Sequence, residues 1–167
     1  MTVVSCLVLL VLMGVFSADW ADSQDCEQGW QHYEGSCYLF NNTLDKWTSH
    51  QISCRLFNGT LAVIETPEEN EFLKNMARSN QAVVTYLGGF DVFTEGRWSW
   101  SHPSGRIDND SFTDFGKDQP DGGEDEDCLA LAKDLDYQWA DVKCKGKGNS
   151  ICELNLTAGL WIYRLSN

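Results

Sequence analysis

The sequence predicts an α+β domain, on three observations. Two helix-patterned segments lie in the first half of the chain, short apolar and aromatic stretches follow them, and a long polar stretch rich in Asp and Gly, residues 105–127, interrupts those stretches. Helices and strands segregated along the chain pack as helices beside a sheet, not as alternating βαβ units. A polar loop that long inside a compact domain is either functional or disordered, and an ordered one needs an external tie.

Taken in order, residues 1–17 contain no charged side chain, run apolar through 7–15 and end on the small Ser17. This reads as a signal peptide cut near Ser17, and so as a secreted, extracellular protein. The apolar run is shorter than the roughly 20 residues that span a bilayer, so no membrane anchor is expected. Residues 26–40 read as two short strands around a turn at Glu34-Gly35, with Trp30, Tyr33, Tyr38 and Phe40 on strand faces. Cys26 and Cys37 are placed to staple that hairpin. Thr43 or Asp45 is expected to cap a first helix ending near Phe57, with Leu44, Trp47, Ile52, Leu56 and Cys54 toward its buried side. A strand is expected over 61–64. A second helix follows, with Thr66 as its cap, Pro67 at its first position, Glu68 and Glu69 at its positive end, and an end near Ser79. Further short strands are expected over 82–89, 98–101, 128–133, 138–139 and 150–153. Trp98 and Trp100 alternate on one strand face and read as core. In the extension 154–167, Leu160-Trp161-Ile162-Tyr163 is an apolar patch suited to an extra strand or to self-association.

Of the seven cysteines, Cys6 falls in the leader, leaving Cys26, Cys37, Cys54, Cys128, Cys144 and Cys152. Six cysteines in an exported chain read as three disulfides, which allow fifteen pairings. The roughly 150 residues after the leader suit one domain with a real core, and no repeat or linker divides them. The formal charge of −13 argues against nucleic acid and anionic membrane as partners, and for cations or neutral ligands.

The chemistry concentrates in Gln119-Pro120-Asp121-Gly122-Gly123-Glu124-Asp125-Glu126-Asp127-Cys128, followed by Trp139-Ala140-Asp141-Val142-Lys143-Cys144. Calcium takes six to eight oxygen ligands at roughly 2.3–2.6 Å from carboxylates, amide carbonyls and water. The loop offers five acids and one amide, with two glycines to turn the backbone. It is therefore a candidate calcium site. His32, His50 and His102 are scattered and match no hydrolase or metalloprotease pattern, so no enzyme is expected. The sequons at Asn41, Asn58, Asn109 and Asn155 are candidate glycan acceptors.

These residues, taken together, resemble the C-type lectin domain over 26–153. The ordered set comprises Gly29-Trp30, Cys37-Tyr38, Trp47, Cys54, Leu61, Glu68-Glu69, Tyr86-Leu87-Gly88-Gly89, Glu95-Gly96, Trp98 with Trp100, Gln119-Pro120-Asp121, Cys128, Trp139 with Asp141, Cys144 and Cys152. The resemblance implies two helices flanking small antiparallel sheets, with a long calcium-binding loop region. It pairs Cys54 with Cys152 and Cys128 with Cys144, and adds the Cys26–Cys37 bridge of the long form. It makes Gln119, Asp121, Glu126 and Asp141 ligands of both calcium and sugar, and gives Asp91 and Glu95, completed by Glu126 and Asp127, to a second calcium position. In the family, the Gln-Pro-Asp order goes with galactose. The implied partners are terminal sugars of glycans, bound in innate recognition.

Two departures accompany the match. Where the family carries Trp-Asn-Asp, this chain carries Trp139-Ala140-Asp141, one side-chain ligand short. The stretch from Gln119 to Glu126 is about a residue shorter than usual, which leaves Glu124 and Glu126 both open as the ligand, and leaves water, Glu124 or Asp125 to fill the gap. The alternative is a C-type-lectin-like scaffold that binds protein or mineral without sugar.

Overall fold

The computed structural model describes residues 26–102, 104–108 and 110–156. The signal peptide 1–17, Asn109 and the tail from Thr157 onward, with Leu160 to Tyr163, lie outside the described residues. The elements run β1 (Gln31–Tyr33), β2 (Ser36–Asp45), α1 (Trp47–Leu56), β3 (Thr60–Leu61), α2 (Pro67–Ser79), β4 (Val84–Phe90), β5 (Ser99–Ser101), β6 (Ser104–Arg106), β7 (Cys128–Ala132), β8 (Gln138–Val142) and β9 (Gly148–Asn155). This is the α+β architecture the sequence predicts. Among the described residues no helix is long and apolar enough to cross a membrane.

The hairpin β1–β2 turns at Glu34 and Gly35, whose positive φ values of 43° and 85° are those a tight turn demands. The strand β2 then continues to Asp45, pairing with β9 from Ser36↔Asn155 to Asp45↔Gly148. This overrides the cap expected at Thr43 or Asp45. The N-cap of α1 is Lys46, which makes no side-chain cap bond. The buried side of α1 carries His50 and, as expected, Cys54, whereas Ile52 and Leu56 on the helix and Leu44 on β2 are exposed instead of buried. His50 is held on both ring nitrogens, by the Gly148 carbonyl at 2.8 Å and the Ser150 hydroxyl at 2.9 Å. Since the carbonyl can only accept, Nε2 carries the proton and Nδ1 accepts from Ser150.

The helix α2 begins as predicted. Thr66 Oγ1 accepts from the Glu69 N–H at 3.1 Å, Pro67 opens the helix, and Glu68 and Glu69 fill its first turn. Its inward side carries Leu73, Met76 and Ala77 along with the polar Asn70 and Lys74. The expected strand over 61–64 is shorter, since only Thr60 and Leu61 pair with β9. Ala62, Val63 and Ile64 are nevertheless buried, in the main core with Leu87, Leu129, Leu131, Trp139 and Ile151.

The sheet order is β1-β2-β9-β4-β5-β6, with β3 joined to β9 and with β7 lying between β4 and β8. It is one mixed sheet and not separate antiparallel ones, because β4 meets β9 in parallel at Thr85↔Asn149 and Tyr86↔Ser150. The long polar stretch contributes β6 at its start and, through Phe115, a parallel bridge to Trp139. Three disulfides cross the structure: Cys26–Cys37, Cys54–Cys152 between α1 and β9, and Cys128–Cys144 across the ends of β7 and β8.

Two carboxylates, Glu69 buried and Glu153 half-buried, lie where α2, β2 and β9 meet. Glu153 accepts from the Ser36 hydroxyl at 2.9 Å and from the Val63 N–H at 3.1 Å. Glu69 accepts from the Tyr38 hydroxyl at 2.6 Å and from the Glu65 N–H at 2.8 Å. Burial pushes both carboxyls above the usual range, against the pull of those hydrogen bonds, and Glu65 pushes the same way on each.

Candidate functional site

The site is built on β8. Pairing with β7 sets Leu131 opposite Trp139 and Leu129 opposite Asp141, so strand alternation puts Trp139 and Asp141 on one face. Trp139 is fully buried, with edge contacts to Trp100, Phe112 and Phe115. Trp98 and Trp100 are both buried. Neither offers a face to a ligand.

Asp141 is 4% exposed, yet its carboxylate faces the 119–127 loop and ties that loop to the sheet. Its two oxygens accept from the Asp121 N–H at 3.0 Å and the Gly122 N–H at 2.7 Å. In return, the Asp141 N–H donates to Gln119 Oε1 at 3.2 Å, while Gln119 Nε2 donates to Asp121 Oδ1 at 2.7 Å. The Gln119–Pro120 peptide is cis. Beyond it the loop turns through a short 3-10 segment, Gly123–Asp125, that brings Glu126 back. A Cβ on Gly122 would overlap the Glu126 side chain, so this close return requires glycine there.

As a result Asp121, Glu126 and Asp141 each place a carboxylate oxygen within 4.8 Å of the others. Oxygens sharing one calcium ion at about 2.4 Å lie no more than about 4.8 Å apart, so the trio fits such an ion. Among the described residues no other three acidic, histidine or cysteine side chains close to this distance. Gln119 borders the trio, with its carbonyl turned to the Asp141 backbone.

Asp91, Glu95 and Asp127 form a second acidic region beside the trio. Asp91, at the end of β4, is bonded through its N–H to the Asp127 carbonyl at 3.1 Å, and its Oδ2 accepts from the Gly96 N–H at 2.8 Å. Its other oxygen is buried with no hydrogen-bond partner. A carboxylate oxygen left bare in this way is costly unless something meets it. Burial pushes the Asp91 carboxyl up, and the charges of Asp127 and Asp141 add to that rise. Glu95 is raised by desolvation and by Asp91, Asp127, Asp141 and Glu124, although its side chain is open to solvent.

Sequence reasoning missed the group that anchors the loop region, Asp114. Its carboxylate accepts from Asn70 at 2.7 Å, Lys74 at 2.9 Å and Gln138 at 3.0 Å. Its backbone carbonyl takes the Trp139 N–H at 2.8 Å, and Asn70 Oδ1 takes the Trp139 indole N–H at 2.8 Å. Burial opposes the charge on Asp114, but the three donors outweigh it and hold the carboxyl below the usual range. The available signal was Asn70 and Lys74, one helical turn apart on the core side of α2.

Of the sequon residues, Asn41 lies on β2 with its side chain accepting from the Thr43 N–H, and Asn58 is exposed in a left-handed turn after α1 with φ 58°. Asn155 ends β9, but the threonine of its sequon lies outside the described residues.

Three comparisons bear on this geometry. The family model for the lectin C-type domain matches residues 43–154. Perlucin of Haliotis laevigata is 32% identical over 131 residues, 77% of this chain and 82% of that protein. C-type lectin domain family 4 member E of Mus musculus is 32% identical over 132 residues, 77% of this chain and 60% of that protein. Among solved structures, herring type II antifreeze protein superposes with TM-score 0.71 at 29% identity, covering 78% of this chain and 99% of that one. A Ca2+-dependent type II antifreeze protein in its Ca2+-free form gives TM-score 0.67 at 31% identity, covering 77% and 99%.

Proposed function

The chain belongs to the C-type lectin domain family, and from that premise we propose that it is a secreted, calcium-dependent, carbohydrate-binding lectin of galactose type, acting in innate recognition of glycans. The observation that carries this reading is the carboxylate trio Asp121, Glu126 and Asp141, closed to calcium-ligand spacing on a loop that Asp141 itself fixes to the sheet. The Ca2+ dependence of one structural neighbour, a type II antifreeze protein, supports the same ion here.

Asp141 is the fixed member, since its orientation is set by β8 and by two loop N–H groups. Asp121 and Glu126 are the solvent-facing members. Gln119 positions Asp121 through its amide N–H and would present its carbonyl oxygen as a further ligand. Calcium held by these groups would leave coordination positions for two neighbouring sugar hydroxyl oxygens, and the ligand carboxylates would accept the hydroxyl protons. A second calcium would be taken by Asp91 and Glu95, completed by Glu126 and Asp127; the bare Asp91 oxygen supports it, but these groups do not stand at shared-ligand spacing and would have to draw together on binding. The role is binding, without a catalytic group.

A second reading, a scaffold of this fold that binds protein or mineral, is favoured by Ala140. This residue is buried opposite Ala130 and adds no ligand between Trp139 and Asp141. Titration calorimetry separates the two. We expect calcium heat in the parent chain, galactose heat larger than mannose heat in saturating calcium, and loss of both calcium and galactose heats in Asp121→Ala. Calcium heat with no sugar heat would give the case to the scaffold, and sugar binding unchanged in chelator would sink the calcium mechanism.

A further inference from the structure

The chain carries 25 acidic against 12 basic side chains, yet four of those twelve, Lys46, Lys143, Lys145 and Lys147, belong to one small region. Three stand at alternate positions of the turn between β8 and β9, Lys143-Cys144-Lys145-Gly146-Lys147-Gly148, and all three are exposed while Cys144, Gly146 and Gly148 are not. The fourth precedes α1, whose first N–H, that of Trp47, donates to the Cys144 carbonyl at 3.1 Å. Lys46 is thereby set beside the turn.

The turn is held rigidly. The Lys143 carbonyl accepts from the Gly146 N–H at 2.9 Å and from the Tyr86 hydroxyl at 2.8 Å. Cys144 is tied to Cys128 by a disulfide, and the Gly148 carbonyl is held by His50. Among the described residues none of the four lysines is in an ion pair. Of the acids in the adjoining segments, Asp45 accepts the Lys46 backbone N–H at 2.7 Å and its charge acts on Lys46, while Asp141 is buried against the loop, so the three turn lysines carry the uncompensated charge.

A cluster of unpaired ammonium groups on a strongly acidic molecule is a local attractor for anions, and its reach is set by salt. We propose that the 143–148 turn with Lys46 is a second binding surface, independent of calcium, for sulfated polysaccharide chains. Lysine ammoniums bind as mobile point charges, which suits separate sulfate groups on a flexible chain. The turn's outward positions hold lysine alone, with no aromatic or aliphatic anchor of the kind on which protein docking depends. A rigid duplex, with a charge every 1.7 Å or so, would bring those charges against the acidic remainder of the molecule, whereas a single flexible sulfated chain can follow the lysine turn alone.

The test is retention of the full chain on immobilised dextran sulfate, with uncharged dextran as control, in chelator so that the calcium site is out of play. The parent is expected to bind dextran sulfate alone and to release it as salt rises. The triple variant K143Q/K145Q/K147Q should bind about tenfold more weakly or worse, whereas K143R/K145R/K147R, with the charge kept, should bind as the parent does. Equal retention of the Gln variant and the parent would overturn the proposal. So would retention that tracks a salt-reversible increase in the chain's own mass, which would assign the lysines to the acidic face of a second copy. Calcium binding by the Gln variant, measured separately, should match the parent, so failure of the calcium reading and failure of this one give different results.

Discussion

Asp114 shows how much one carboxylate can organise. It meets a lysine whose side chain is only 9% exposed, two amides and, through its backbone, the strand that bears Asp141. In Asp114→Asn the new amide would aim a donor at groups that already donate, leaving Lys74 with Glu71 alone, a partner that is 60% exposed. Removing one member of a mostly buried pair costs about 2–4 kcal/mol. The expected result is a drop of that size in urea unfolding, together with weaker calcium binding because β8 and the loop region lose their tie. Unchanged stability would mean that the network is ornamental. The Asp114 contribution is present at neutral pH and is lost as pH falls through its depressed pKa. The acids of the loop were plain in the sequence. The resemblance named Asp121, Glu126 and Asp141 as ligands but left Glu124 open against Glu126, because which of the two meets Asp121 and Asp141 depends on the turn at Gly122 and Gly123 and on the register of β8 against β7.

The two helices differ in how far they could be read, and the reason is physical. Every signal that starts α2 is local: Thr66, Pro67 and the following acids act within one turn of chain. Thr66→Ala should therefore cost about 1 kcal/mol, by exposing the Glu69 N–H without a partner. Thr66→Ser should recover most of it in the same urea titration, and an equal loss in both variants would count against the cap. Thr43 and Asp45 offer similar local signals but are claimed by β2, whose partner Gly148 lies about a hundred residues away. A strand partner that remote outbids a local cap, and no window of sequence shows it. The same holds for the 61–64 stretch, which is buried but whose regular pairing with β9 ends at Leu61, with only single backbone hydrogen bonds from Ala62 to Ile151 and from Gly88 to Ala62 beyond it.

For the molecule as a whole, Glu69 and Glu153 make a pH profile of unusual sign. Glu69 and Glu153 are raised by burial and by neighbouring acids, so the folded chain holds protons that the unfolded chain has released. Stability then declines as pH rises from about 4.5 through their raised pKa values. Self-repulsion from the −13 charge works in the same direction. In chelator, the urea midpoint should accordingly be higher near pH 5 than at neutral pH and fall again below about pH 4 as Asp114 and its like are protonated. Glu153→Gln should flatten the upper slope. A midpoint in chelator that rises toward neutral pH would contradict this account. With calcium bound the trend should reverse, because protons compete with the ion for its carboxylates. The bridge between Cys54 and Cys152, 98 residues apart, also decides how the molecule bears tension. A pull on residues 26 and 156 passes through the Cys26–Cys37 link, along β2 and α1, across Cys54–Cys152 and out through the end of β9. The entire backbone between those last two cysteines, with Asp91, the 119–127 loop and Asp141 on it, hangs off that path as a covalently closed ring. Force applied at those two points would load β2, α1 and the end of β9, and would leave slack both the hairpin turn that Cys26–Cys37 bypasses and the ligand-bearing loop.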